Sequence, residues 1–219
     1  MSLDASSRTQ GACPPDFETL LDHPQVTLLD PDLWAYVIDD LLTPEECQQW
    51  IELAEAKGFG PAPITTGLGP IMAPHVRNNT RVMIDSHRAA RGLWGRLSPF
   101  VPTDFAGWQA CGLNERLRFY RYEAGQQFNW HFDGCYARSE REQSHLTVLF
   151  YLSSAEGGAT EFSTYTDLPA VEPAPGRVLI FKHRAVEHRG APVFGGRKYV
   201  LRSDVMFQAP PLGLMSGRE

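Results

Sequence analysis

Hydrophobic and polar positions follow a helical period in parts of the first half of the chain and alternate in short runs in the second half. Two helices are predicted, one after the cap Thr43 that ends at about Lys57, and one after Ser86 that ends at about Leu97. The first begins with a capping box and a proline at its first helical position, which satisfy free backbone donors. One strand is predicted before the first helix, at 34–38, and one between the two helices, at 81–84.

From Asn114 onward, short apolar and alternating runs follow one another, separated by glycine and proline. Many short strands without interleaved helices are typical of a sandwich, a barrel or a jelly roll. We therefore expect a mainly β protein with N-terminal helices (α+β), in which the helices back a β core. The predicted strands of that core are 115–122, 127–132, 145–152, 159–163, 177–182 and 197–207.

The predicted elements divide the chain into four segments of one compact unit. They are a loosely ordered arm at 1–25, a support region at 26–112, the β core at 113–209 and a tail at 210–219. Residues 58–76 are rich in glycine and proline and predict a long surface loop. Whether the wider segment 58–81 forms a substrate lid stays open from the sequence.

Composition and charge narrow the class of protein. Hydrophobic residues make up 42% of the chain, which is enough for a core and too many for a disordered chain. The net charge of -6 argues against a surface built to hold nucleic acid or anionic lipid, although it leaves room for a local basic cleft. Four widely spaced cysteines, a polar N-terminus and the lack of a long apolar stretch predict a cytoplasmic protein without a membrane partner.

The first sign of chemistry is a histidine and an aspartate two positions apart in a predicted strand. Side chains at that spacing lie on one face, so His131 and Asp133 are expected to reach one ion. A third ligand, His188, lies on or beside a later strand. Two histidines and one carboxylate suit non-haem Fe(II) and leave positions for an oxidant and a bidentate organic acid. We expect these three residues to be the metal ligands and the catalytic centre.

Basic residues on neighbouring strands support a ligand-binding interior. Lys198, Arg202 and Asp204 share one face of the last predicted strand, and Arg118 and Tyr120 share a face of an earlier one. A buried cation is costly unless an acidic ligand or a partner carboxylate compensates it. The alternative is an ion pair on a solvent-exposed face.

Two other histidines and a tryptophan near the predicted ligands are given structural roles. We expect His183 to be a hydrogen-bonded residue at a strand end, and His145 to face the interior without binding metal. Trp130 should point away from His131 and pack against neighbouring side chains.

Several motifs in this region together resemble a known enzyme group. They are His-Phe-Asp at 131–133, Gly-Gly-Ala-Thr-Glu-Phe at 157–162, Pro-Gly-Arg-Val-Leu-Ile-Phe at 175–181, and His-Arg-Gly-Ala-Pro-Val at 188–193 followed by Lys198. In this combination, residues 114–207 resemble the Fe(II)/2-oxoglutarate dioxygenases of the prolyl 4-hydroxylase-like group. The resemblance implies a double-stranded β-helix, or jelly-roll, core.

The resemblance also implies roles for matching residues. The metal ligands would hold Fe(II), Lys198 would pair with the distal carboxylate of 2-oxoglutarate, and Tyr122 and Tyr151 would be its hydrogen-bonding neighbours. Arg202, four positions after Lys198, is the alternative partner of that carboxylate, or of an acidic group on the substrate. O2 would be the second cosubstrate, with ascorbate as a reductant.

The implied function is hydroxylation of an unactivated carbon, with release of succinate and CO2. We expect a prolyl or other amino-acid side chain in a peptide or protein, or a free amino acid, as substrate. The alternatives are a nucleic-acid or small-metabolite oxygenase of the same superfamily, and a jelly-roll sensor module that holds metal without turnover. The acidic balance speaks against a nucleic-acid partner. Candidate substrate contacts are Arg81, Asn79, Arg118 and Tyr120.

Overall fold

The protein is represented by a computed structural model, which describes residues 14–15, 24–67 and 69–210. The predicted N-terminal arm and C-terminal tail lie largely outside these residues. In the described part of the chain, no helix is long and apolar enough to cross a membrane. The cysteines described there, Cys47, Cys111 and Cys135, are free thiols; the cytoplasmic location stays a prediction.

Both predicted helices are present and begin and end where their caps place them. They are α1 (Pro44–Lys57) and α2 (His87–Leu97), and a single 3-10 turn at Ser98–Phe100 follows α2. The Thr43 hydroxyl accepts a hydrogen bond from the Glu46 amide at 3.2 Å, and the Glu46 carboxylate accepts one from the Thr43 amide at 2.9 Å. The predicted capping box is therefore confirmed.

Most of the remaining described chain is in short strands, and every predicted strand is found within a few residues of its expected bounds. The strands are β1 (Gln25–Asp30), β2 (Ala35–Asp39), β3 (Gly60–Pro61), β4 (Ile64–Thr66), β5 (Gly69–Ile71), β6 (Thr80–Asp85), β7 (Asp104–Phe105), β8 (Trp108–Leu113), β9 (Arg116–Tyr122), β10 (Phe128–His131), β11 (Ala137–Ser139), β12 (Glu142–Tyr151), β13 (Glu156–Gly157), β14 (Thr160–Phe162), β15 (Val178–Lys182), β16 (His188–Gly190), β17 (Val193–Gly195) and β18 (Lys198–Gln208).

The described strands form four antiparallel sheets, of which a large one and a small, three-stranded one enclose the predicted interior, while β13–β17 and β4–β5 are two-stranded sheets. The large sheet runs in the order β1-β2-β15-β12-β18-β9-β6-β3, with β7, β8 and β11 attached at its side. The small sheet has the order β10-β16-β14. Strands of the predicted support region and of the predicted core are therefore hydrogen-bonded into the same large sheet.

Each face of the large sheet buries its own apolar cluster. On one face, Trp50 and Leu53 of α1 and Leu93 of α2 pack with strand residues such as Phe119 and Leu201. On the other face, a second cluster lies toward the small sheet and includes Tyr151, Leu179, Phe181 and Phe162. The helices thus back the large sheet, and the space between the two sheets is left for the polar side chains described below.

Three parts of the fold differ from the prediction. The predicted loop 58–76 contains a β4–β5 hairpin as well as β3. Outside the predicted strand ranges also lie β1, β7, β8, β11, β13, β16 and β17. The side chains of β1 are mostly exposed, so it lacks the apolar alternation that marks a half-buried strand. Its pairing with β2 comes from backbone hydrogen bonds at the sheet edge.

The expected position of His145 is wrong, because strand β12 has an irregularity there. The register with β18 shifts between Ser144 and Leu146, which turns the intervening side chain to the other face. His145 therefore stacks on Phe105 at 4.5 Å between ring centroids, on the side of the helices. Strict alternation would have placed it inside with Thr147.

Candidate metal centre and cosubstrate pocket

The three predicted metal ligands come together between the two sheets. His131 ends β10 and lies directly opposite His188 of β16, because these two strands pair in the small sheet. Asp133 lies two residues past the end of β10. His131 Nε2 is 3.8 Å from Asp133 Oδ1, and His188 Nε2 is 3.7 Å from Asp133 Oδ2. One ligand atom of each residue lies within 4.8 Å of the others, and Asp133 and His188 are buried.

The electrostatics of these residues favour a ligand set over an ion pair. Burial and the neighbouring His188 lower the pKa of His131 to about 3, against the opposing effect of Asp133. Burial likewise lowers the pKa of His188. For Asp133, burial raises the pKa, but Arg202 and the two histidines outweigh it and the pKa is lowered. Neutral imidazoles and an ionised carboxylate are the forms that bind a divalent metal.

The residues fit Fe(II). Two donors that each lie about 2.1 Å from one ion are at most about 4.2 Å apart, and both histidine–aspartate distances above are shorter than that. Two imidazoles and one carboxylate are the donor set typical of non-haem Fe(II) oxygenases. The second nitrogen of each histidine is held by a backbone carbonyl, His131 Nδ1 by Asn129 at 2.8 Å and His188 Nδ1 by Val186 at 3.2 Å. These contacts leave Nε2 free for a metal.

A network of polar side chains orients Asp133. The Thr147 hydroxyl donates to Asp133 Oδ2 at 2.7 Å, and its oxygen lies 3.1 Å from His183 Nδ1. Arg202 Nη1 donates to Asp133 Oδ1 at 2.8 Å. His183 is buried, is bonded on its other nitrogen to Ser144 and takes no part in the ligand cluster, as expected. Sequence reasoning missed Thr147, because nothing in its local pattern separates it from other strand threonines.

A narrow inner chamber beside the triad contains the Lys198 ammonium. Lys198 is 2% exposed, and its Nζ lies 5.0 Å from the ring centroid of Tyr122 and 5.7 Å from that of Tyr151. Burial lowers its pKa to about 7, although the Glu172 carboxylate opposes this shift. No acidic side chain among the described residues forms a salt bridge with Lys198. A buried ammonium without a salt bridge is costly unless an anionic ligand compensates its charge.

The glycine pair of the sequence motif gives Lys198 its space. Gly158 has a φ of +75°, and a Cβ there would lie 3.1 Å from the Lys198 side chain and 2.9 Å from Val193. The chamber is completed by Tyr122, while the Tyr151 hydroxyl donates to Thr160 Oγ1 at 2.7 Å. Tyr151 thus reaches the chamber through Thr160, which lines it.

Arg202 has the partners that Lys198 lacks. Besides Asp133, it contacts Asp204 Oδ1 through Nη2 at 3.2 Å. These two carboxylates, together with Tyr120, raise its pKa despite its burial. The structure therefore pairs Arg202 with protein carboxylates and leaves Lys198 for an external one.

A wider outer cavity of about 560 Å3 opens onto the triad. It shares His131 and Asp133 with the inner chamber, and it is lined by Arg81, Arg118 and Tyr120 of the predicted substrate contacts. Its other edge contains Pro63, Ile64 and Val76, from the segment whose role as a lid was left open.

Asn79, the fourth predicted substrate contact, is buried behind the cavity wall. Its Oδ1 accepts from Arg77 Nε at 2.7 Å, and its amide donates to the Thr80 carbonyl at 2.9 Å. Arg77 lines the cavity, with its guanidinium over the rings of Tyr120 and Phe128 at 4.4 and 4.3 Å. Arg77 was not among the predicted substrate contacts, and the short Arg-x-Asn spacing was the available signal.

Trp130 packs against a neighbouring side chain, as expected, but remains partly exposed. It is 39% exposed, and the Arg189 guanidinium lies over its ring at 4.8 Å. It lines neither the inner chamber nor the outer cavity.

Comparison with known proteins gives a family match in the same region. Residues 117–203 match the 2OG-Fe(II) oxygenase superfamily, and this range includes the triad and Lys198. No curated protein matches the chain in sequence.

Three solved structures of similar fold are prolyl hydroxylases. A viral collagen prolyl hydroxylase from Paramecium Bursaria Chlorella virus-1, in complex with 2OG, is 23% identical, with 78% of this chain and 95% of that chain covered and a TM-score of 0.58. A Pseudomonas putida prolyl-4-hydroxylase is 16% identical, with coverages of 81% and 94% and a TM-score of 0.55. A Trichoplax adhaerens prolyl hydroxylase, in complex with a hypoxia inducible factor peptide fragment, is 18% identical, with coverages of 84% and 87% and a TM-score of 0.60. These likenesses confirm the expected double-stranded β-helix fold.

Proposed function

The chain belongs to the 2OG-Fe(II) oxygenase superfamily, and we propose that it hydroxylates an unactivated carbon of a prolyl or other amino-acid side chain. The substrate is a peptide or protein, or a free amino acid. The observation that carries the proposal is the triad of His131, Asp133 and His188, two of whose members are buried, beside the Lys198 ammonium, which forms no salt bridge within the described residues. A sensor module without turnover has no need of a buried cation that forms no salt bridge with the described residues.

Fe(II) held by the triad would supply the oxidising chemistry that couples conversion of 2-oxoglutarate and O2 to succinate and CO2 with hydroxylation of the substrate. The protein's own residues position the reactants. Lys198 binds the distal carboxylate in the inner chamber, and Thr147 and Arg202 hold the Asp133 carboxylate in one orientation. The Phe128 ring stacks on His131 at 3.6 Å between centroids and shields one side of the site from water.

A peptide or protein substrate is supported by the rim of the outer cavity. Phe132 is 54% exposed and lines this cavity, and Tyr136, also in its wall, is 38% exposed. Exposed aromatic side chains beside a polar cavity are typical of surfaces that bind peptides. The prolyl hydroxylase that was solved with a peptide fragment shares the fold, at 18% identity.

The experiment that tests the proposal is a measurement of succinate. The purified protein is incubated with Fe(II), ascorbate, O2 and 2-oxoglutarate, with and without proline-containing peptides and free amino acids. We expect succinate in wild type, stimulated by a substrate, and its loss in Asp133→Ala together with loss of bound iron. The matched control is Asp104→Ala, because Asp104 is an exposed aspartate away from the triad. Succinate formation that persists in Asp133→Ala, or its absence from wild type under every condition, contradicts the proposal.

A further inference from the structure

Guanidinium groups outnumber carboxylates around the outer cavity. Arg77, Arg81, Arg118 and Arg202 all line it, and Asp133 is the one carboxylate among the described lining residues. Asp204, just behind the wall, adds a second negative charge. Bound Fe(II) and dianionic 2-oxoglutarate would cancel each other, so they would leave this excess of positive charge in place. The whole chain carries a net charge of -6, so the excess is local.

Three of these arginines have partners within the protein. Arg118 Nη1 contacts Asp204 Oδ2 at 3.0 Å, and Arg202 contacts both Asp204 and Asp133. Arg77 is bonded to Asn79 and lies over two aromatic rings. These contacts explain why the three side chains are ordered at this position.

Arg81 differs from the other three. It is half-buried in β6, and within the described ranges its side chain forms no salt bridge and no hydrogen bond. Burial lowers its pKa; Tyr120 opposes this, and repulsion from Arg77, Arg118 and Arg202 lowers it further. The positive charge of the same three arginines also acts on the Tyr120 phenol, because it outweighs burial and lowers the pKa of that group. A guanidinium held against three others is costly unless an anion compensates it.

We infer that the substrate of this site carries a carboxylate and that Arg81 binds it. The inference rests on the proposed function, which places an amino-acid or peptide substrate in the outer cavity. A guanidinium presents a planar fork of donors that matches a carboxylate. The carboxylate is either the side chain of an acidic residue near the target residue in a peptide, or the α-carboxylate of a free amino acid. A polyanion does not fit, because the positive excess is confined to the cavity of an acidic protein.

The test compares ligands that differ by one charge. The first arm uses capped pentapeptides with a central proline. In each peptide one of the other four positions carries a glutamate, and a matched peptide carries glutamine at that position. Free L-proline and L-prolinamide form the second arm, which distinguishes an α-carboxylate from a side-chain carboxylate. Dissociation constants are measured by titration calorimetry on the Fe(II)- and 2-oxoglutarate-loaded protein without O2. The variants are Arg81→Gln and, as the matched control on the paired strand, Arg116→Gln, an exposed arginine outside the cavity.

We expect wild type to bind at least one acid about 10-fold or more tightly than its amide, since a hydrogen bond to a charged group contributes about 1.5–3 kcal/mol. The ratio should fall to about threefold or less in Arg81→Gln and stay at the wild-type value in Arg116→Gln. Arg81→Lys, which keeps the charge, should retain part of the preference. It also keeps the test decisive if the glutamine variant fails to fold.

Two results overturn the inference: equal binding of acids and amides by wild type in every pair, or a preference that survives in Arg81→Gln. Displacement of the acidic peptide by a short single-stranded oligonucleotide would also overturn it, in favour of a polyanion. The succinate assay separates this inference from the proposed function. Succinate formation without acid preference refutes the inference alone, and acid preference without succinate refutes the proposed function alone.

Discussion

We expect the proposed binding of 2-oxoglutarate at the buried Lys198 to depend on pH. The ammonium has a pKa of about 7 in the free protein because it is buried, against about 10.5 for an ordinary lysine. The dianion binds only the charged form and therefore raises this pKa when it binds. Above pH 7 the free protein is mostly neutral at this position, so each binding event must take up a proton. The affinity should thus fall as the pH rises, by about tenfold per pH unit from about pH 7 until the pKa of the bound state is reached.

The metal ligands His131 and Asp133 do not titrate in the pH range of this experiment. His131 has a pKa of about 3, and the pKa of Asp133 lies below the ordinary value of an aspartate. Neither side chain therefore changes its charge between pH 6 and 9. Beside Lys198 in the inner chamber, Tyr120 has a pKa that shifts toward this pH range, because nearby arginines outweigh its burial. Tyr120→Phe therefore serves as a control for any proton that the phenol exchanges.

The assay is titration calorimetry of 2-oxoglutarate into the anaerobic Fe(II) protein, in two buffers of different ionisation enthalpy. At pH 8 we expect uptake of about 0.9 proton per ligand in wild type and in Tyr120→Phe, from the fraction of Lys198 that is neutral. Lys198→Arg should take up about none, because a guanidinium stays charged. Lys198→Met should bind about 10- to 100-fold more weakly at pH 6, where the ammonium is charged. An affinity that does not change with pH, or the same proton uptake in Lys198→Arg, refutes the reasoning.

Three further predictions concern the metal, its support and the fold. His131→Ala should lose stoichiometric iron while His145→Ala keeps it, as measured by metal analysis after dialysis, because only the first side chain lies in the triad. Thr147→Val should weaken iron binding by about 10-fold or more in a metal titration, since it removes the hydrogen bond that orients the aspartate; an unchanged affinity would contradict this. Gly176→Ala should lower the free energy of unfolding by more than about 2 kcal/mol in urea denaturation, because it has a φ of +82° and its Cβ would lie 2.2 Å from a backbone carbonyl oxygen. The matched Gly95→Ala, in open space on α2, should be stabilising by about 0.5–1 kcal/mol, and equal effects at the two glycines would refute the steric argument.

The basic cleft reconciles the overall charge of the protein with its chemistry. A net charge of -6 speaks against an extended phosphate-binding surface, yet this site must bind an anionic cosubstrate. The fold meets both needs by placing the cations inside. Lys198 lies in the inner chamber, and the arginines line the outer cavity, where the low dielectric strengthens their attraction for a bound carboxylate.

Both helices and the core strands were predictable from the sequence because their signals are local. A capping box involves residues within one helical turn, as Thr43 and Glu46 show. Alternation along β18 likewise assigned Lys198 and Arg202 to one face from the sequence alone. Two of the ligands, His131 and Asp133, were predictable because they belong to one short motif, and the resemblance to a family supported His188 as the third.

Only the tertiary structure decided how these residues are paired. The sequence placed Lys198 and Arg202 on the same face, with Arg202 as the alternative to Lys198, and only the structure shows that Arg202 contacts Asp133 while Lys198 forms no salt bridge within the described residues. The irregularity that turns His145 outward and the approach of Arg81 to three other arginines are equally invisible in the local pattern. The physical reason is that residue periodicity determines which way a side chain faces within its own strand. The partner it meets depends on strands far away in the chain, and therefore on how the two sheets close around the site.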